Sequence, residues 1–190
     1  MIDQAAAAIA PHIEEAVGVI WDARGNIGGA SPVGFAIVGG MLSATPTPIA
    51  RCTTRIEGTD PAEYYVGGPD YDLVVDERVH VDVPAALLID GFSISAADYF
   101  ARAAALAAPE VRIFGRASAG AYGGGGAGAT LLAVPRLQVS YDPYRCNDLQ
   151  GTPLETHPTV PDELLDFAPS DLAAGVDTMV ESAAAHLLSL

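Results

Sequence analysis

Residues 87–101 read Leu87-Leu88-Ile89-Asp90-Gly91-Phe92-Ser93-Ile94-Ser95-Ala96-Ala97-Asp98-Tyr99-Phe100-Ala101. A short apolar run stops at Asp90-Gly91, turns, and enters an alanine-rich helix with Ser95 at its mouth. A strand buried on both faces is a continuous apolar run, and a helix start carries backbone N–H groups with no partner inside the helix. A hydroxyl held there sits beside donors able to stabilise the oxyanion of an attacked carbonyl, which is a nucleophile's position. A second reading fits the same residues. Ser95-Ala96-Ala97-Asp98 has the spacing of a capping box, with Ser95 as cap and Asp98 reaching back.

Outward from this junction, the elements alternate. A helix is predicted from Asp3 to about Ala16, with Ile2, Ala6, Ile9, Ile13 and Val17 at helical spacing. Val17–Trp21 reads as a buried strand, followed by the polar loop Asp22-Ala23-Arg24-Gly25-Asn26-Ile27-Gly28-Gly29. Ligands gather at the carboxyl ends of strands in open α/β sheets, and glycines let backbone N–H groups approach an anion. Gly28 and Gly29 are therefore candidate oxyanion donors. The competing reading is an ordinary turn in which Asp22 and Arg24 pair.

Residues 31–42 read as a helix, Thr47–Glu57 as a strand, and Gly58–Arg78 as a long connection whose Tyr64, Tyr65 and Tyr71 carry no assigned role. Val83–Asp90 is the second central strand, the helix from Ser95 runs to about Ala107, and Val111–Phe114 is a third strand. Strand, helix, strand, helix, strand is the pattern of a layered α/β fold. Gly115–Gly128 is glycine-rich and reads as flexible rather than as wrapped around a ligand, and residues 129–141 as a hairpin or two short strands around Pro135. One amphipathic helix is expected after Ser170-Asp171, with Ala173, Val176, Val180, Ala183 and Leu187 on one face. Glu155 and His157 lie two apart, so an extended segment would point both to one side, where an acid can orient an imidazole base.

Composition narrows the function. At 190 residues and 50% hydrophobic, the chain suits one domain, read as spanning 1–190. The formal net charge of −15 argues against nucleic acid or an anionic membrane as partner. All nine basic residues are arginines, which excludes a lysine base, a Schiff base and a lysine-bearing phosphate loop from this chain. Cys52 and Cys146 have no metal-like spacing and read either as buried thiols or as one disulfide. The N-terminus has neither a basic region nor an uninterrupted apolar run, so neither a signal peptide nor membrane insertion is expected. The compartment stays unassigned.

Four stretches together resemble the S41 peptidases, the family of the C-terminal processing (tail-specific) proteases and the tricorn core protease. Val19–Gly29 resembles their strand and "D-x-R-x-N-x-G-G" loop. Leu88–Ala101 resembles their nucleophile segment, usually "T-A-S-A-x-E-x-F-A", with Ser95 on the catalytic serine. Ile113–Gly120 resembles the "iiGexTaG" stretch, and Glu155–Asp162 with Gly175-Val176-Asp177 resembles the closing "E-x-x-G-V-x-P-D … G-x-D" region.

The resemblance implies an α/β superhelix of the ClpP/crotonase type and peptide-bond hydrolysis through an acyl-enzyme. Ser95 would be the nucleophile, and the N–H of Ala96 with that of Gly28 or Gly29 would form the oxyanion hole. Ala121 stands where the processing proteases carry lysine, so a Ser-Lys dyad is ruled out. The tricorn-like branch uses a histidine from before the first motif, and Glu155 matches the acid that holds it. The chain then reads as the C-terminal half of a catalytic domain, or as a relative that has lost its base, with His157 as a fallback. The resemblance implies neither metal nor organic cofactor. The expected partners are a peptide or protein substrate and, to complete the site, a second copy of the chain or an N-terminal segment of the same protein. A non-catalytic module of this fold, binding a peptide or lipophilic ligand, is the rival reading. A crotonase-type acyl-CoA enzyme, which would bind CoA phosphates with basic residues, is disfavoured by the net charge of −15 and the absence of lysine.

Overall fold

The structure is a computed structural model that describes residues 2–13, 15–29, 46–56, 60, 63–73, 81, 83–123, 128–131 and 138–190. The helix expected over 31–42 lies outside the described residues. Four parallel strands form the central sheet, β1 (Val19–Asp22), β4 (Ala85–Ile89), β5 (Arg112–Gly115) and β9 (Glu163–Leu164), in the spatial order β1-β4-β5-β9. In β4 every residue is buried, as a strand covered on both faces demands. Alternate β4 side chains serve two cores. Ala86 and Leu88 join Phe114, Met179, Ala183 and Leu187, while Ala85, Leu87 and Ile89 join Ile113, Tyr99, Ala101 and Ala104. Each large apolar side chain buried this way contributes about 1.5–3 kcal/mol.

Helix α2 (Ala96–Ala107) and a three-stranded antiparallel sheet cover the second core. That sheet comprises β2 (Thr47–Arg55), β3 (Tyr64–Leu73) and β8 (Tyr144–Asn147), in the order β3-β2-β8. β3 corrects the expectation of a long connection over 58–78. Its Gly67, Gly68 and Pro69 fall where the register against β2 slips between Arg51 and Thr53, so the turn-forming residues make a bulge inside a strand. Cys52 faces Cys146 directly across β2 and β8, and the two form a disulfide. The expected hairpin is present as β6 (Gly128–Leu131) and β7 (Gln138–Tyr141).

Helix α1 spans Ile2–Ile13. The expected single C-terminal helix is two, α3 (Pro169–Ala174) and α4 (Thr178–Leu187). Gly175 takes a left-handed conformation that ends α3, and Asp177 starts α4 by accepting the N–H groups of Met179 and Val180. Consequently Met179, Ala183 and Leu187 face the sheet, while Ala173 and Val176 are exposed. Among the described residues no helix is long and apolar enough to cross a membrane.

Candidate active site

Ser95 sits between β4 and α2 with φ 57° and ψ −118°, one of two non-glycine residues at positive φ among those described. Such a conformation costs on the order of 1–3 kcal/mol and persists only where its surroundings enforce it. Here they do. The Ser95 N–H donates to the Ala121 carbonyl at 2.7 Å, the Ile94 N–H to the Asn26 carbonyl at 3.0 Å, and the Tyr99 N–H to the Ser95 carbonyl at 3.1 Å. The half-buried Ser95 hydroxyl makes no cap hydrogen bond, so the capping box does not form.

Asp98 explains why. It has no exposed surface, and its carboxylate turns inward to accept the N–H groups of Gly120 at 3.1 Å and Ala121 at 2.9 Å.

The loop after β1 is pressed against this junction. A Cβ on Gly28, which has φ +98°, would lie 2.7 Å from the Ser95 Cβ, 2.8 Å from the Ile94 carbonyl oxygen and 3.0 Å from the Ala96 nitrogen. Only glycine permits that approach. The Gly28 N–H, however, donates to Asn26 Oδ1 at 2.9 Å. Of the two glycine donors expected, this leaves Gly29 with its N–H uncommitted among the described residues.

Side chains lace the two segments together. Asp90 Oδ1 accepts from the Gly25 N–H at 3.0 Å and the Phe92 N–H at 2.9 Å, and the buried Ser93 hydroxyl donates to the Ala23 carbonyl at 2.9 Å. Behind them Arg24 forms two-point pairs with both Asp22 and Asp177. Its side chain is 12% exposed and lies 5.6 Å from the centre of the Phe167 ring. Arg24, and the N–H groups of Val180 and Met179 at the start of α4, hold Asp177 below the usual carboxylate range. For Asp22, burial pushes upward, but the Arg24 hydrogen bonds together outweigh it and the net direction is down. The acid and guanidinium of the "D-x-R" motif thus brace the loop, as the turn reading proposed.

Glu155 and His157 do not lie in an extended segment. Thr156 has φ 70°, the residues form a turn, and both side chains are exposed. His157 Nδ1 lies 3.1 Å from the backbone carbonyl of Glu155, rather than meeting its carboxylate. Glu155 Oε2 instead accepts from the Gly123 N–H at 3.4 Å. This turn is nonetheless tied to the Ser95 side of the molecule. The Thr156 N–H donates to the Gly120 carbonyl at 2.7 Å, and the Tyr122 hydroxyl to the His157 carbonyl at 3.2 Å.

Residues 116–123, expected to be flexible, are cross-linked by hydrogen bonds. The Arg116, Ser118 and Ala119 N–H groups bond the carbonyls of Ile89, Thr159 and Ser93. Tyr99 stacks on Tyr71 and meets Tyr122 edge-on, and burial raises the pKa of both Tyr99 and Tyr122, keeping the phenols neutral.

Asn26, Asp90 and Ser93 were not singled out from sequence as site-building residues, and Asp98 was read only as the acid of a capping box. One signal was available for Asp98. It lies one turn before Ala101 on the same face of an alanine-rich helix, where a buried acid needs a partner. Among the described residues no group of three or more His, Cys, Asp or Glu side chains is placed to hold a metal ion.

No protein-family model matches the sequence, and no curated protein matches it significantly. Solved structures do match. A candidate peptidase from Parabacteroides merdae superposes with TM-score 0.76 at 23% identity, covering 98% of this chain and 56% of that one. Mature CPAF in complex with lactacystin matches with TM-score 0.72 at 15% identity, covering 99% and 46%. A candidate S41 protease from Bacteroides fragilis matches with TM-score 0.57 at 14% identity, covering 86% and 43%. The chain thus spans about half the length of the structures it matches. With its parallel sheet and covering helices, this chain has the α/β fold of the S41 peptidases.

Proposed function

We propose that this chain is part of a serine peptidase of the S41 type, tricorn-like in lacking lysine, and that residues 1–190 form the C-terminal half of a ClpP/crotonase-type catalytic domain. The observation that carries this reading is the strained backbone of Ser95, whose hydroxyl is uncommitted beside the first N–H of a helix. In the proposed reaction Ser95 Oγ bonds to the scissile carbonyl carbon while its proton passes to a general base. The N–H groups of Ala96 and Gly29 hold the oxyanion. The base then protonates the departing amine as the C–N bond breaks, and water hydrolyses the acyl-enzyme. Glu155 would orient the base, a histidine that the tricorn branch supplies from upstream of the first motif. His157 is the weaker candidate, because its Nδ1 is turned to the Glu155 backbone.

One observation favours the rival reading of a non-catalytic module for a peptide or lipophilic ligand. Among the described residues no histidine reaches the Ser95 hydroxyl.

Incubation with unfolded casein of the chain joined to a histidine-bearing upstream segment of the parent protein, followed by mass spectrometry of the products, separates the two readings. The peptidase produces fragments that fall by at least ~1000-fold in Ser95→Ala. A module that retains casein peptides uncut, equally in wild type and Ser95→Ala, would overturn the catalytic reading.

A further inference from the structure

Gly120 and Ala121 each spend both backbone groups on this site. Their N–H groups go to the two oxygens of Asp98, at 3.1 and 2.9 Å. Their carbonyls go opposite ways, Ala121 to the Ser95 N–H at 2.7 Å and Gly120 to the Thr156 N–H at 2.7 Å. The next two residues extend the link, since the Tyr122 hydroxyl donates to the His157 carbonyl and the Gly123 N–H to Glu155 Oε2. Tyr99, beside Asp98 on α2, donates its hydroxyl to the Gly123 carbonyl at 2.9 Å.

We infer that Asp98 is a positioning residue. Its buried carboxylate fixes the Gly120–Ala121 peptides, which in turn hold the strained Ser95 backbone on one side and the Glu155–His157 turn on the other. The inference rests on the peptidase reading for its catalytic consequence, though not for its geometry.

The chemistry favours a carboxylate. The two adjacent N–H donors each meet a different oxygen of Asp98, and asparagine would turn an NH2 donor toward one of them. Asp98 lies in the first turn of α2, where unpaired N–H groups favour a negative charge that has no exposed surface. The rigid helix thereby transmits its position to a loop that otherwise lacks regular structure. Ser95 needs this support, because its φ of 57° is disfavoured for any residue with a side chain.

Amide hydrogen exchange by NMR on the full chain tests the geometry without requiring activity. In Asp98→Asn, exchange at Gly120, Ala121, Ser95 and Thr156 should accelerate at least ~10-fold more than at Leu87 to Ile89, whose protection falls only with the global stability. Unchanged exchange at Ser95 and Thr156 would overturn the inference. Asp98→Glu keeps two acceptor oxygens and supplies the test should Asp98→Asn not fold. It should retain protection at both Gly120 and Ala121, and loss at both would overturn the inference.

The catalytic consequence is read from fluorophosphonate labelling. In Asp98→Asn the labelling rate of the folded fraction should fall at least ~10-fold, with Asp98→Glu recovering most of it. A purely structural residue would lower the folded fraction and leave the rate per folded molecule intact, and that result would overturn the positioning role. Wild-type protein that takes no label even with a histidine-bearing upstream segment of the parent protein included would count against the peptidase reading instead, and the exchange data would then decide the inference alone.

Discussion

Arg24 lies between Asp22 and Asp177 with those carboxylates 45% and 35% exposed, whereas Asp98 has no exposed surface and no ion-pair partner among the described residues. Both anchors hold a loop against the Ser95 junction. The first does so with opposite charges at the solvent edge, where water and salt screen each pair. The second does so with backbone N–H groups inside the protein, where an unmet donor costs far more. A brace at the edge can therefore weaken without moving Ser95, while a change at Asp98 reaches the serine through two hydrogen bonds, one into Ala121 and one out of it.

Asp98→Asn should have the largest effect, a loss of about 3 kcal/mol in unfolding free energy from the buried N–H groups it leaves poorly paired. Denaturant titration checks it, and a loss no greater than that of Arg24→Met would break the contrast. Gly28→Ala probes the surface where the two braced segments meet. A Cβ there would lie within 3.0 Å of Ser95, Ile94 and Ala96 atoms at a φ of +98°. The expected cost is about 2–3 kcal/mol, accompanied by displacement of the loop from Ser95 that a Ser95 amide chemical-shift change would report. Arg24→Met should cost about 2 kcal/mol, discounted for the exposure of both carboxylates, with the Ser95 and Thr156 amides keeping their exchange rates.

The smallest effect is on acid stability. Asp22 and Asp177 are held below their unfolded carboxylate values, so what they contribute is present above an unfolded pKa of about 3.9 and disappears as pH falls through the folded values. After solvent screening this amounts to under about 1 kcal/mol. Thermal melts from pH 6 down to 3 should show wild type losing slightly more stability than Arg24→Met. Equal losses would show that the ion cluster carries no net stabilisation.

The same contrast explains what could be read from the chain alone. β4 was legible because a doubly covered strand is a continuous apolar run, and α2 because alanine dominates it. β3 was not, because Pro69 and the Gly67-Gly68 pair signal a turn, and their place in a bulge depends on the register against β2. β8 and β9, of four and two residues, carry too little pattern to stand out. The C-terminal helix was read as continuous because its apolar spacing runs through Gly175, whereas the left-handed conformation there ends one helix and Asp177 starts another.

At the site, the Ser95 junction and the Gly28-Gly29 loop were legible as local chemistry. The order of residues 116–123 and the inward turn of Asp98 depend on partners distant along the chain, such as Thr159, Ser93 and Ala121, which no local pattern reveals. The Glu155–His157 relation failed for a related reason. A two-residue spacing places side chains together only in extended backbone, and Thr156 at φ 70° makes a turn.

The most direct measurement is intact mass after exposure to a fluorophosphonate serine probe, with Ser95→Ala alongside. An activated Ser95 gives one added probe mass on the wild-type chain and none on the variant. Equal labelling of the two, or a wild type that stays unlabelled even when a histidine-bearing upstream segment of the parent protein is included, would contradict Ser95 as the nucleophile.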